Sequence, residues 1–296
     1  MKNKKLLKRI LIITASVAGG LIAVAVVLGV LNAVVADGKW SFGWNDYRYD
    51  ETGYEIGSAT VPYDTVTRIE IDWIDGMVTL QSCQDSYISI TEQSEDELHE
   101  SVKLRWRVSD NGKTLSIKYR KSSYYFNMSA EDRNKVLTVR IPETLLEKME
   151  DIELSVVSSN IMLENIKVES FSLETVSGNF IAEECDMLSF SAETVSGAVV
   201  YNGTLHNSFE ADSTSGSILL MGDICPAEVD IETVSADIKL CFPKDVSMTL
   251  DWETVSGKLS SDIAMTQSGE SYIAGGGTSR VNAESVSGNL NIKVKE

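Results

Sequence analysis

Thr175-Val176-Ser177-Gly178 returns nineteen residues later as Thr194-Val195-Ser196-Gly197, and its relatives run on down the chain. They are Ser213-Thr214-Ser215-Gly216, Thr233-Val234-Ser235-Ala236, Thr254-Val255-Ser256-Gly257 and Ser285-Val286-Ser287-Gly288. An earlier, weaker copy is Val156-Val157-Ser158-Ser159. Counted between the marker serines, the spacings are 19, 19, 19, 20, 21 and 31 residues. A fixed period of this size is the signature of a repeat architecture.

The flanks repeat in the same phase. Four residues before the markers stand Leu154, Leu173, Ala192, Ala211, Ile231, Trp252 and Ala283; three after stand Ile161, Phe180, Val199, Ile218, Ile238, Leu259 and Leu290. On either side of the marker, apolar residues alternate with polar ones, the period of a half-buried strand. The inward positions at minus four and plus three are an odd number apart, so alternation breaks between them and the chain turns a corner. The glycine after the marker permits a tight or left-handed bend there. Short strands of this kind cannot bury their apolar face alone, and stacking successive copies gives a continuous core. The fold class read from this pattern is all-β: a β-solenoid of 19–21-residue coils. The Leu-x-x-Leu-x-Leu signature of leucine-rich repeats is absent.

Upstream, Ile69, Ile71, Ile74, Asp75, Gly76, Val78 and Leu80 keep the same phases, with Asp75 in the serine position. Ser109-Asp110-Asn111-Gly112-Lys113 is a hairpin signal between two alternating runs. Val136 to Ile141 reads as a strand stopped by Pro142, and 143–150 as a short helix or capping loop. Residues 61–150 are thus the irregular opening, and 151–296 the regular repeats, of one domain. The long last interval, with Gly275-Gly276-Gly277, reads as a loop or flexible hairpin inserted between the last two coils. Asn289 to Val294 would then be the terminal strand, with Lys293, Lys295 and Glu296 protecting its edge.

The chain has 296 residues and a formal net charge of −18, from 26 basic and 44 acidic side chains. The charge is unevenly placed. Lys2, Lys4, Lys5, Lys8 and Arg9 precede a run, Ile10 to Val35, that holds no charged side chain. At ~1.5 Å per residue, its 26 residues reach about 39 Å, enough to cross a hydrocarbon core of ~30 Å. A cleaved secretory signal has a shorter apolar region of ~7–15 residues. Residues 10–36 are therefore read as one N-terminal transmembrane helix, a single-pass anchor in the cell membrane. Residues 1–9 form its cytoplasmic flank and the C-terminal domain is extracytoplasmic. Residues 37–60, with Trp40, Phe42, Trp44, Tyr47, Tyr49 and Tyr54, read as an aromatic juxtamembrane linker. Removing the five flanking cations from the 26 leaves 21 basic against 44 acidic groups outside, a balance that excludes nucleic acid as a partner.

No catalytic constellation emerges. His99 and His206 are far apart, with no metal-ligand spacing beside them. The serines recur in every coil, whereas a nucleophile would be singular and have a base beside it. Cys83, Cys185, Cys225 and Cys241 form no Cys-x-x-Cys pair and are expected as lone buried thiols. One surface remains. Three residues before the markers stand Glu174, Glu193, Asp212, Glu232, Glu253 and Glu284. Their neighbours point inward, so these carboxylates point outward. With coils ~4.8 Å apart they form a column of like charges, which is unfavourable. Relief could come from water and salt, from a divalent cation such as Ca²⁺, or from a cationic partner; calcium binding would raise the melting temperature.

The phased Thr-Val-Ser-Gly corners, with Thr67-Arg68-Ile69-Glu70-Ile71 and Leu137-Thr138-Val139-Arg140-Ile141-Pro142 before them, resemble a bacterial family. It is the "putative adhesin" β-strand-repeat family of unknown function, whose members include LiaG-like membrane-anchored envelope proteins. The resemblance spans roughly 61–296 and implies a cell-envelope protein, adhesin-like or linked to envelope stress, with no catalytic residue to transfer. The expected function is a non-catalytic interaction or scaffold module of the envelope. Its expected partners are envelope proteins, a cell-wall polymer or cationic peptides. Two alternatives stay open: a carbohydrate-active β-helix enzyme acting on envelope glycans, which would need paired carboxylates at one unique place, and a self-assembling structural solenoid.

Overall fold

The computed structural model describes residues 47–62, 65–109, 111–123 and 134–295. The basic flank, the proposed anchor and the linker up to residue 46 lie outside them. Among the described residues no helix is long and apolar enough to cross a membrane. Strands dominate, and the one described helix is the single turn Glu143–Leu146.

Each coil contributes one strand run before the corner and one after it, and the copies pair in parallel. Before the corner the register runs Ile69, Ile152, Phe171, Phe190, Phe209, Val229 and Val281. After it the register runs Val78, Ile161, Phe180, Val199, Ile218, Ile238 and Leu290. These residues are buried and fill the interior of the stack. Phe171, Phe190 and Phe209 stack ring on ring, with centroids 5.7 and 5.2 Å apart. Asp75 is paired with Ser158, as the shared phase requires.

Two hydroxyl columns close each corner. The marker serine donates to the carbonyl before the corner of the adjacent coil: Ser196 Oγ to Val176 O at 3.3 Å, Ser215 Oγ to Val195 O at 3.1 Å. The Thr or Ser two residues earlier points inward and is buried at 175, 194, 213, 233 and 285, and partly buried at Thr254 in the outermost coil. Its hydroxyl bonds within its own corner, Thr194 Oγ1 accepting from Gly197 N at 3.0 Å and Ser213 Oγ donating to Gly216 O at 2.7 Å. The glycine has a different reason from the one expected. Gly178 does take a positive φ of 114°, but Gly197, Gly216, Gly257 and Gly288 do not. A Cβ on Gly197 would overlap the Gly178 carbonyl oxygen, and one on Gly216 would overlap that of Gly197. Glycine is needed mainly because coil backbones touch at the corner.

The N-terminal end of the stack is covered. Thr114–Lys118 lies along the first half of Arg68–Cys83 and Val136–Pro142 along the second. The hairpin expected around Asn111-Gly112 joins Arg105–Val108 to Thr114–Lys118. Lys135, fully buried, donates to Glu92 Oε1 at 2.7 Å beneath this cover. The described part of the aromatic linker folds onto the same end. Tyr47 is buried and its hydroxyl accepts from Tyr119 N at 3.0 Å, while Tyr49 donates to Arg120 O at 2.7 Å.

The C-terminal end differs from expectation. The last repeat does not stack outermost. Ser279–Ser285 pairs with Glu228–Thr233 on one side and Met248–Thr254 on the other. Leu290–Val294 likewise lies between Ile238–Phe242 and Leu259–Ser261. The spatial order of markers is therefore Ser235, Ser287, Ser256. The long interval takes the hairpin form of the expected insertion. It holds an antiparallel hairpin, Thr266–Ser268 with Ser271–Ala274, which pairs onto Met248–Thr254. The outer coil carries the residues that suit an end: Trp252 is half-buried and Ser261 occupies a phase that Ile292 fills in the inserted coil. Lys293 and Lys295 thus guard no edge. Lys293 pairs with Asp262 at 3.0 Å, and Lys295 Nζ reaches Asn202 Oδ1, Met221 O and Asp223 Oδ1.

Candidate functional site: an acidic column

The six acids predicted from the repeat are in direct register. Glu174 pairs with Glu193, Glu193 with Asp212, Asp212 with Glu232, Glu232 with Glu284 and Glu284 with Glu253. The inserted coil reverses the last two. All six are partly covered rather than freely exposed. Their flanking residues, such as Leu173 and Thr175 or Ala192 and Thr194, are buried, so the carboxylates project from the outer face.

The column begins earlier than the sequence reading placed it. Ser155 stands opposite Glu174, and Asp72 opposite Ser155. Both follow from the same phase, three before Ser158 and three before Asp75. A second outward column runs alongside at minus five: Glu70, Glu153, Ser172, Ser191, Glu210, Asp230, Asn282 and Asp251. That column was equally readable and was missed, because only the column at minus three is acidic in every coil from Ser177 onward.

Cations are built into the head of this face. Lys118 Nζ bonds the Asp72 carboxylate, Ser116 Oγ donates to Glu70 Oε2 at 3.1 Å, and Arg68 lies 3.2 Å from Asp151. Further along, burial pushes the Glu174 carboxyl up to about 7, helped by Glu193, Glu153 and Asp72. Asp212 is pushed up to about 7 by burial, then by Glu232, Glu193, Glu210 and Asp230. Glu193 is raised by burial and by Glu210. Glu174 Oε2, Glu193 Oε2 and Ser155 Oγ are buried and make no hydrogen bond. Like charges opposite one another in a sheet are destabilising, and buried acceptors without donors add to that cost.

Metal chelation finds less support. Among the described residues, no group of three or more His, Cys, Asp or Glu side chains is placed to hold a metal ion. The calcium expectation therefore lacks a chelating cluster. The histidines lie elsewhere: His206 Nε2 is 2.8 Å from Asp186 Oδ1, and His99 Nδ1 is 2.9 Å from Ser101 Oγ. The four cysteines are free thiols; Cys83, Cys185 and Cys241 are buried and Cys225 is partly buried.

Residues 66–293 match the family described as Toastrack DUF4097, a domain of unknown function. No curated protein matches the sequence. Among solved structures, a putative adhesin from Bacteroides fragilis NCTC 9343 is similar at 12% identity and a TM-score of 0.45, over 80% of this chain and 97% of that one. A putative cell adhesion protein from Clostridium sporogenes ATCC 15579 is 15% identical, with a TM-score of 0.35, over 82% of this chain and all of the other. A putative lipid binding protein from Parabacteroides distasonis ATCC 8503 is 14% identical, with a TM-score of 0.43, over 81% and 97%.

Proposed function

The chain belongs to the Toastrack DUF4097 family, and we propose that it is a non-catalytic docking module of the bacterial envelope whose acidic column receives a cationic polypeptide. Residues 10–36 hold it in the cell membrane with residues 1–9 in the cytoplasm, and the solenoid stands outside. The observation that carries this reading is the contrast within one face. Partners are built in at the head, Lys118 on Asp72, Ser116 on Glu70 and Arg68 on Asp151, yet the carboxylates of Glu174, Glu193 and Asp212 continue in register against one another. A catalytic site is singular, whereas this face repeats with the coil, which is the geometry of binding to something extended along the solenoid axis. The acidic excess outside the membrane also attracts a cationic partner at long range and speeds encounter.

The test uses the full chain in detergent micelles and fluorescein-labelled hexalysine. Binding should weaken steeply with salt. Changing Glu174, Glu193, Asp212 and Glu232 together to amides should weaken it about tenfold or more, as loss of several close charge contacts does. The same number of amide changes at Glu95, Glu97, Glu100 and Glu143 should have little effect. Equal loss from both sets would reject the column as the docking surface.

A further inference from the structure

The column is not uniform, and its irregularity locates a seat. Three orphaned polar atoms fall on three successive coils: Ser155 Oγ, Glu174 Oε2 and Glu193 Oε2. Ser155 is 1% exposed although it points outward between Leu154 and Val156, both buried, so longer side chains beside it must cover it. A sealed hydroxyl with no partner is uncommon, since buried polar groups are nearly always bonded. The two glutamate oxygens are acceptors that lack donors. What would satisfy this stretch is therefore a donor-rich cation, held through hydrogen bonds and not by chelation.

We propose that a lysine side chain of the partner polypeptide seats its ammonium between Glu174 and Glu193, with Ser155 positioning Glu174. This rests on the docking reading above and narrows it to one place and one group. The geometry suits an ammonium. Carboxylates on adjacent coils are ~4.8 Å apart, and a charge-assisted N–H···O bond is ~2.8 Å long, so a nitrogen bonded to both sits about 1.4 Å off the line joining them. Lys118 already shows the same chemistry two coils up the column, on Asp72. Ser155 lies on the other side of Glu174, too far to touch the ammonium itself. On binding, the Ser155 side chain would swing to donate to the inner oxygen of Glu174, which it does not bond in this structure, favouring the ionised carboxylate and leaving the outer oxygen for the ligand.

The experiment compares single variants of the full chain in detergent micelles, using labelled hexalysine, with melting curves to verify folding. Glu174→Gln and Glu193→Gln should each weaken binding about tenfold, the loss expected of one strong charge-assisted contact. Glu253→Gln and Glu284→Gln, at the far end of the same column, should change it less than about threefold, as screened charges do. Ser155→Ala should weaken binding about threefold, one net hydrogen bond, and Ser155→Thr should restore it. Equal losses at both ends of the column would overturn the local seat while leaving column docking intact. Wild-type affinity in Glu174→Gln and Glu193→Gln would overturn the seat as well. Failure of hexalysine to bind the wild type would overturn both proposals.

Discussion

The head of the acidic face and its middle are built on the same sheet with the same phase, and burial raises the carboxyls of both, Asp72 and Asp151 included, yet they differ in counter-charge. At the head, Asp72 has Lys118, Glu70 has Ser116 and Asp151 has Arg68. Two coils on, Glu174 faces Glu193 and Glu193 faces Asp212, and the carboxyls of Glu174 and Asp212 are pushed up to about 7. The coil architecture does not force this, because any outward position in a stacked coil can hold a cation opposite an acid. Leaving the middle acidic costs stability that the head shows could be recovered. Natural proteins keep such costs at sites of function.

The comparison can be broken most severely by prying the middle coils apart. In Gly197→Ala the new Cβ would overlap the Gly178 carbonyl oxygen, and a rigid backbone neighbour cannot yield cheaply. The expected loss is about 3 kcal/mol or more, comparable to severe overpacking, read as a lower denaturation midpoint in urea. A smaller loss is expected at the head. Lys118→Met removes the cation from Asp72, whose side chain is only 27% exposed. Stability should fall by about 2 kcal/mol, below the cost of a fully buried broken pair because both partners keep some contact with water. If the loss is negligible, the head is not a compensated region and the contrast fails.

The pH profile sharpens the contrast further. Glu174 and Asp212 have folded-state pKa values of about 7, above their ordinary 4.5 and 3.8. Between those limits the folded state binds more protons than the unfolded one, so stability falls as pH rises. Melting temperature should therefore be higher at pH 5.5 than at pH 8 on account of these two groups. The double variant Glu174→Gln with Asp212→Asn should flatten that slope, and an unchanged slope would refute the assignment. The smallest effect is that of Asp212→Asn alone at pH 8. Removing one like charge from the column should stabilise by about 0.5 kcal/mol, visible as a small rise in melting temperature.

Much of this was legible because a solenoid writes its register into its period. Once Ser177, Ser196 and Ser215 are aligned, the inward phenylalanines and the outward acids follow, and so does the coil that places Asp75 opposite Ser158. The acid column was readable for the same reason. The spatial order of the last two coils was not, since period alone does not say which coil lies outermost. Burial chemistry could have said it: Ser261 sits in an inward phase that Ile292 fills, and a polar residue there fits only the end of a core. Ser155 escaped because a small polar residue gives no signal until its neighbours are seen to cover it. The corner glycines were located correctly for an incomplete reason. Contact between coils is a property of the stack, invisible in a single repeat.

The most direct measurement gives the middle of the column what the head already has. Glu193→Lys places an ammonium between Glu174 and Asp212, as Lys118 is placed beside Asp72. Hexalysine affinity and melting temperature would be measured on the full chain, wild type and variant, in the same detergent. The expected result is a higher melting temperature together with at least about tenfold weaker binding. A variant that binds hexalysine as tightly as the wild type would contradict the claim that the uncompensated middle of the column is the docking site.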